Sequence, residues 1–378
     1  VSLDAAVAAG LPTVKVVGTG LLGTSVGLGL ASGGARVLLS DPSPTALALA
    51  RDLGAGAAAA GGDGADVGLV VVAAPPDVTA DVVLAELAAH PTATVTDVAS
   101  VKSGILAEVA ARGGDLSRYV GGHPMAGRER SGPVAARGDL FIGRPWVVCA
   151  GEKADGDRVD LVRRLALALG ATPVVMGAEE HDASVAVVSH VPQVAASLVA
   201  ARLRTAPEGA VGLAGQGLRD VTRIASSDPL LWAQILSANA APVLDVLTAL
   251  RADLDGVIAG LASIAAEGEP GAGAPPALGA RAAVAKVVAD GNVGRERIPG
   301  KHGGQATRYA VVTVVVPDAP GSLARLFADI GDAGVNVEEL ALEHAPGRAV
   351  GLVEVSVLPA VRERLEAGLD AAGWKVVA

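Results

Sequence analysis

The sequence predicts a chain in three parts: a doubly wound α/β domain, an all-α segment and a small α+β domain of βαββαβ order. Three observations carry this reading. Short apolar runs alternate with Ala- and Leu-rich helical stretches up to about residue 177. From Glu179 to about Ile264 the pattern is helical alone, and from Tyr309 strands and helices alternate again. A length of 378 residues is enough for two or three separate cores. With half the chain apolar but only 2% aromatic, Ala, Val, Leu and Gly must build those cores.

In the first part, Val14–Val17, Arg36–Leu39, Val67–Ala74, Thr94–Val98 and Tyr119–Gly122 read as buried strands. Pro44–Leu53 and Asp77–Ala89 are helices between them, which implies a parallel sheet covered on both faces. Pro145–Cys149 and Thr172–Met176, separated by a helix over Asp157–Leu169, extend the sheet and carry the domain through residues 1–177. A helical domain over 178–304 follows. In it, Ser226-Ser227-Asp228 before Pro229 marks a helix start, since a capping side chain precedes a proline in the first turn. The Gly-, Ala- and Pro-rich stretch 267–276 reads as a loop, Leu278–Ala289 as a helix, and Gly291–Gly304 as a basic turn. Residues 305–378 form the last domain: strand Ala310–Val316, helix Gly321–Asp332, strands Val337–Glu343 and Gly351–Val357, helix Pro359–Ala372 and strand Trp374–Val377.

The composition narrows the function classes. A formal charge of −10 disfavours polyanionic partners, and so few aromatics cannot supply the stacking platforms of single-stranded nucleic-acid binding. Cys149 is the only cysteine, which excludes an intrachain disulfide and a thiolate metal cluster, and no metal is expected. The N-terminal residues lack a basic region followed by an apolar core, and unbroken apolar runs such as Val67–Ala74 fall far short of the roughly 20 residues that span a bilayer. The expectation is a cytoplasmic protein with no membrane partner.

Between the first strand and the first helix lies Gly18-Thr19-Gly20-Leu21-Leu22-Gly23. In a dinucleotide-binding, Rossmann-type loop of this form the first glycine permits the tight turn. The second lets a pyrophosphate approach the backbone, and the third allows close helix–strand packing. Backbone N–H groups at the helix start, around Leu21 and Leu22, and the positive end of the helix dipole would face the phosphates. Asp41 follows the second strand, eighteen positions beyond Gly23; a carboxylate there accepts bonds from ribose hydroxyls and repels a 2′-phosphate, favouring NAD over NADP. The competing role for Asp41 is a helix cap ahead of Pro42. Ala74 and Pro75, in Ala73-Ala74-Pro75-Pro76, either line the cofactor through their backbone or form a plain turn.

Of the six histidines, His90 precedes a proline at a helix end, His302 lies in a Gly-rich turn and His344 in the last domain. His123 stands apart, in Gly121-Gly122-His123-Pro124-Met125-Ala126-Gly127 at the carboxyl edge of the sheet. A neutral imidazole there can take the proton of a substrate hydroxyl as hydride leaves the same carbon. In Asp97-Val98-Ala99-Ser100-Val101-Lys102, Ser100 could hydrogen-bond His123, while Lys102 is a base, an anchor or a solvated charge in the first helical turn. Ser189-His190-Val191-Pro192-Gln193 sits mid-helix, where a proline costs roughly 3 kcal/mol and implies a kink. Arg219 and Arg223 share a helix face; a guanidinium there is either a bidentate clamp for a substrate carboxylate or a structural partner of Asp220 or another acid.

Taken together, the segments GTGLLG (18–23), DVASVK (97–102), GGHPMAG (121–127), EEHD (179–182), SHVPQ (189–193) and RDVTRIASSDPLLW (219–232) resemble the TyrA family, the prephenate and arogenate dehydrogenases of tyrosine biosynthesis. The resemblance spans nearly the whole chain. It implies that His123 is the catalytic histidine on the substrate's ring hydroxyl, that Ser100 orients it, and that Arg223 grips a carboxylate. It further implies that Ser189, His190, Gln193, Glu129 and Asp220 line or gate the pocket, and that the molecule is a homodimer. Many relatives carry a second histidine where this chain has Gln193, and a small hydroxyl residue where it has Arg128, which leaves prephenate and arogenate both open. Asp318-Ala-Pro-Gly321-Ser-Leu and Gly334-Val-Asn336-Val resemble an ACT domain, which implies tyrosine as an effector near Asp318, Gly321 and Asn336, or a dimerisation module without a ligand. Two rivals remain at this level: a β-hydroxyacid or imine-type dehydrogenase, against which the absence of lysine in 179–203 counts, and a catalytically silent amino-acid sensor.

Overall fold

The structure is a computed structural model that describes residues 4–60, 66–127, 132–267, 279–299, 308–344 and 349–377. It divides into two compact units, residues 1–205 with 221–249 and residues 206–220 with 250–378. The helical residues expected to form one domain over 178–304 are therefore shared between the two.

The first unit is built on an eight-stranded sheet. Its strands are β1 (Thr13–Val17), β2 (Val37–Ser40), β3 (Ala57–Ala58), β4 (Val67–Val72), β5 (Thr94–Asp97), β6 (Tyr119–Pro124), β7 (Pro145–Ala150) and β8 (Thr172–Val175). They lie in the order β3-β2-β1-β4-β5-β6-β7-β8, with the reversal of direction at β1, the crevice where such sheets bind ligands. Helix α1 (Ala5–Ala9) precedes β1, and α2 (Leu21–Ser32), α3 (Pro44–Asp52), α4 (Thr79–Ala89), α5 (Ser103–Ala111) and α6 (Gly156–Ala168) connect the strands. The two faces carry separate cores. Val26 and Leu30 of α2 and Leu161, Val162 and Leu165 of α6 pack on one face; Val83 and Leu87 of α4 and Ile105 and Val109 of α5 pack on the other. Strands covered on both sides need continuous apolar runs, which is why the VGLVVV of β4 shows no alternation.

One expectation needs correcting: the sheet is mixed, because β7 runs antiparallel to β6, with His123 opposite Val147. A parallel neighbour requires a crossover, usually helical, and the segment between β6 and β7 contains, among its described residues, only the short 3₁₀ turn Pro133–Ala135. Helix α6 then supplies the crossover that makes β7 and β8 parallel.

Beyond β8 a single helical run contains α7 (Ala178–Val185), a π-helical turn (Ala186–His190) and α8 (Val191–Arg202). The wide turn sits immediately before Pro192, where the proline's missing N–H needs no acceptor. After α9 (Glu208–Val211) and α10 (Gln216–Thr222), the 3₁₀ turn Arg223–Ala225 leads to α11 (Pro229–Ala238). Asp228 caps α11 as expected, accepting from Leu230 N at 2.9 Å. Helix α12 (Ala240–Glu267) follows, and α13 runs Ala280–Glu296, so residues 291–296 are helical rather than the turn expected there. The stretch 268–278, which holds most of the expected loop, and residues 300–307 lie outside the described residues.

In the second unit, β9 (Ala310–Pro317), α14 (Ser322–Asp332), β10 (Glu339–His344), β11 (Val350–Val357), α15 (Arg362–Ala371) and β12 (Lys375–Val377) reproduce the expected βαββαβ order. Their sheet, β10-β11-β9-β12, is antiparallel throughout. Alternate residues of β9, namely Val312, Val314 and Val316, are buried with Leu326 and Ile330 of α14 and Leu365 and Leu369 of α15.

Candidate active site

The glycine loop takes the form its sequence demands. Gly18 sits at φ +97°, and a Cβ there would overlap the carbonyl of Ala73; a Cβ on Gly23 would overlap the carbonyl of Gly18. Gly20, by contrast, has open space where a side chain would be, and no side chain caps the start of α2. A backbone that is tight at two glycines and open at the middle one, ahead of uncapped N–H groups, fits a pyrophosphate. The carbonyls of Ala74 and Pro75 accept from Thr79 Oγ1, at 3.3 and 2.9 Å, which shapes the turn after β4 beside this loop. Asp41 does not cap α3, which Ser43 caps. Its Oδ2 instead accepts from Thr19 N at 2.6 Å and Thr19 Oγ1 at 2.8 Å, tying the second strand's end to the glycine loop.

His123 lies near the end of β6, on the same sheet edge. Its Nδ1 is 2.8 Å from His181 Nε2, and His181 Nδ1 is 2.8 Å from Asp182 Oδ1. The two rings meet edge-on at 74°. Asp182 also accepts from Lys102 N at 2.9 Å and Ser103 N at 2.8 Å, so a carboxylate from α7 caps the start of α5. Burial pushes the Asp182 carboxyl up, but the bonds from His181, Ser103 and Lys102 outweigh it and hold the group below its ordinary range. Burial, with the neighbouring His181, Lys102 and His190, pushes His123 well below the usual imidazole value, so the ring is neutral at physiological pH.

Beneath His123, Lys102 is 1% exposed, which removes the reading of a solvated charge. It pairs with Asp97 and donates to Gly122 O at 2.7 Å, while Tyr119 Oη donates to Asp97 Oδ2 at 2.7 Å. This buried cluster fixes the backbone carrying His123. Ser100 makes no hydrogen bond to His123 among the described residues; the ring nitrogen Nδ1 is held by His181 instead.

His190 turns inward rather than lining an open pocket. It is 2% exposed, bonds Asn239 Nδ2 at 3.0 Å through Nδ1, and meets Trp232 edge-on. Burial, above all, brings its pKa to about 4. Asn239 also donates to Asp182 O at 2.9 Å, joining the π turn to α7. Gln193 contacts Ser197 Oγ at 3.3 Å and Ser227 Oγ at 3.4 Å, and Ser189 lies half-buried on the same run. Arg223 is exposed, on a turn packed against α8, and forms no ion pair among the described residues. Asp220, in the second unit, accepts from Gln216 at 2.7 Å rather than from an arginine. Glu129 lies outside the described residues. Asp318, Gly321 and Asn336 all lie in the second unit, where Gly321 adopts φ +87° ahead of α14 and Asn336 donates to Glu338.

His181 and Asp182, in the EEHD segment, carry no role assignable from the sequence alone. A signal was present: Ala178, His181, Asp182 and Val185 recur at i, i+3, i+4 and i+7 and are all buried. Helix Ala178–Thr205 is also long and apolar enough, by length and composition alone, to cross a membrane. Its buried His181, Asp182 and His190 bond to residues of β6, α5 and the end of α11, so one face of the helix is packed into this unit.

Residues 26–175 match the family described as prephenate dehydrogenase, nucleotide-binding domain, and residues 177–268 match prephenate dehydrogenase, dimerization domain. A protein described as a probable prephenate dehydrogenase of Streptomyces niveus is 38% identical over 364 residues, which span 96% of this chain and 98% of its own. The prephenate dehydrogenase of Bacillus subtilis is 34% identical over 245 residues, 62% of this chain and 66% of that one. Among solved structures, the prephenate dehydrogenase from A. aeolicus in complex with hydroxyphenyl propionate and NAD+ is 26% identical with a TM-score of 0.63, over 76% of this chain and 98% of that chain.

Proposed function

The chain belongs to the prephenate dehydrogenase family, and from that membership we propose that it catalyses the NAD-dependent oxidative decarboxylation of prephenate to 4-hydroxyphenylpyruvate, as a cytoplasmic enzyme of tyrosine biosynthesis. The observation that carries the chemistry is a neutral, immobilised imidazole, His123, on the sheet edge that also bears the glycine loop. NAD, held by Gly18–Gly23 and by Asp41 at its ribose, supplies the hydride acceptor. His123 takes the proton of the ring hydroxyl as hydride leaves the same carbon. The carboxylate opposite departs as carbon dioxide, leaving its bonding electrons in the ring, and the ring oxygen recovers the proton from His123. Aromatisation makes the sequence irreversible. Arg223, exposed and without an ion pair among the described residues, is available to a substrate carboxylate.

Val187, Val188, Leu198 and Leu230 are each more than half exposed in the region matching the dimerization domain, and a homodimer would cover them. The βαββαβ domain we assign as an ACT-like module with tyrosine as effector near Asp318, Gly321 and Asn336, on the strength of its strand order and these residues.

The deciding measurement is NADH formation from prephenate and from arogenate, with NAD and NADP, in the presence and absence of tyrosine. His123→Asn is expected to keep substrate binding and to lose roughly 10²–10⁴-fold in kcat. Near-normal turnover in that variant would remove His123 from the chemistry, and turnover of arogenate alone would reassign the substrate.

A further inference from the structure

We propose that His181 and Asp182 are positioning residues that lock His123 in the tautomer with hydrogen on Nδ1, so that Nε2 alone faces the reacting hydroxyl as the base. The inference rests on the reading of His123 given above and deepens it. The argument is one of donors and acceptors. The Asp182 carboxylate can only accept, and it already takes two backbone N–H groups, from Lys102 and Ser103. The third contact, at 2.8 Å, must therefore be a donation from His181 Nδ1–H. With that hydrogen taken as the only one on the His181 ring, Nε2 carries a lone pair alone, and the 2.8 Å contact there is a donation from His123 Nδ1–H. The free lone pair of His123 is then on Nε2. When that nitrogen accepts the hydroxyl proton, the imidazolium still donates through Nδ1 to His181, whose own donation to Asp182 leaves the negative charge two bonds away to stabilise it. No proton need leave His123 toward Asp182, and it remains available to return to the ring oxygen.

The arrangement makes unequal predictions for similar substitutions. His181→Gln retains an oxygen that can accept from His123 Nδ1–H, and kcat is expected to stay within roughly tenfold of the parent. His181→Leu removes the acceptor and is expected to lower kcat by roughly 10²-fold with KM for substrate and NAD little changed. Asp182→Asn can turn its amide toward His181 and donate, which reverses both tautomers and places hydrogen on Nε2 of His123; a loss of roughly 10²–10⁴-fold is expected. Leucine and glutamine performing alike, or a loss seen in KM rather than kcat, would overturn the proposal. Nitrogen NMR of the parent protein labelled with ¹⁵N-histidine, the His123 signals being identified by their loss in His123→Asn, reads the tautomer directly and needs neither turnover nor a folded Asp182 variant. A protonated Nδ1 and unprotonated Nε2 are expected, and the opposite tautomer refutes the assignment. If neither prephenate nor arogenate is oxidised, the reaction assignment fails while the spectrum still decides the tautomer.

Discussion

Asp41 is the residue at which cofactor choice can be isolated. Its Oδ2 holds Thr19 of the glycine loop through two hydrogen bonds and its Oδ1 accepts from Ser43 N, so the carboxylate braces the loop, and under the proposed function it also bonds a ribose hydroxyl. Hydrogen bonds to a charged group contribute about 1.5–3 kcal/mol, so Asp41→Ala is expected to raise KM for NAD roughly 10- to 100-fold, with a smaller effect on kcat. The same change lifts repulsion of a 2′-phosphate and should narrow the gap between NAD and NADP. Steady-state kinetics with both cofactors check this; an unchanged KM for NAD confines Asp41 to loop bracing. The places of Gly18, Gly20, Asp41 and His123 on the sheet edge were legible in the sequence because each lies at or just past the end of an apolar run that reads as a strand. Lys102 was not. The sequence shows a lysine beside a helix start, and only the pairing of β5 with β6 reveals that Asp97 and the Gly122 carbonyl enclose it.

At the scale of elements, the ends of β5 and β6 are joined by Tyr119, Asp97 and Lys102, all essentially closed to solvent. Burial and the adjacent Asp97 push the Tyr119 phenol well above its ordinary value. Of the two tyrosines, Tyr309 and Tyr119, the second is expected not to ionise until the protein unfolds, which an alkaline ultraviolet titration will show as a delayed step. Tyr119→Phe leaves Asp97 short of a donor, at a cost of about 1.5–3 kcal/mol in a denaturant titration. Seven of the eight strands of the first sheet, and helices α3, α4 and α6, were readable from hydrophobic runs, because those signals are short-range; the two-residue β3 and the five-residue α1 were not. The antiparallel direction of β7 was missed for the complementary reason. Its direction depends on whether a crossover helix precedes it, and an apolar run reads the same either way. The turn at 291–296 was misread because Gly291 and Gly294 look like breaks, whereas they sit in the continuous helix α13.

For the molecule as a whole, acid should act through histidines held neutral. In the folded state His123 and His190 lie below the ordinary imidazole value, the latter at about 4. Above about pH 6.5 neither folded nor unfolded chain is protonated there, and their contribution to stability is complete. As pH falls through that value the unfolded chain binds protons that the folded one refuses, so stability declines until the folded groups titrate in turn. Asp182, lowered in the fold, adds its own loss only below the carboxylate range. Thermal melts between about pH 7 and 4.5 are expected to show Tm falling by on the order of 5 °C, with His190→Asn flattening part of the slope. A flat profile would mean the imidazoles reach water. The capping of α5 by Asp182 has a consequence for modularity. The seam between the two family segments falls at residue 176, yet the carboxylate that completes the nucleotide-binding half lies just beyond it. A polypeptide stopped at Met176 would leave the amides of Lys102 and Ser103 bare, whereas one continued through Leu203 would carry its own cap. Shuffling halves between relatives at that seam is therefore expected to restore the cap only where the incoming helix carries an acceptor at the position of Asp182.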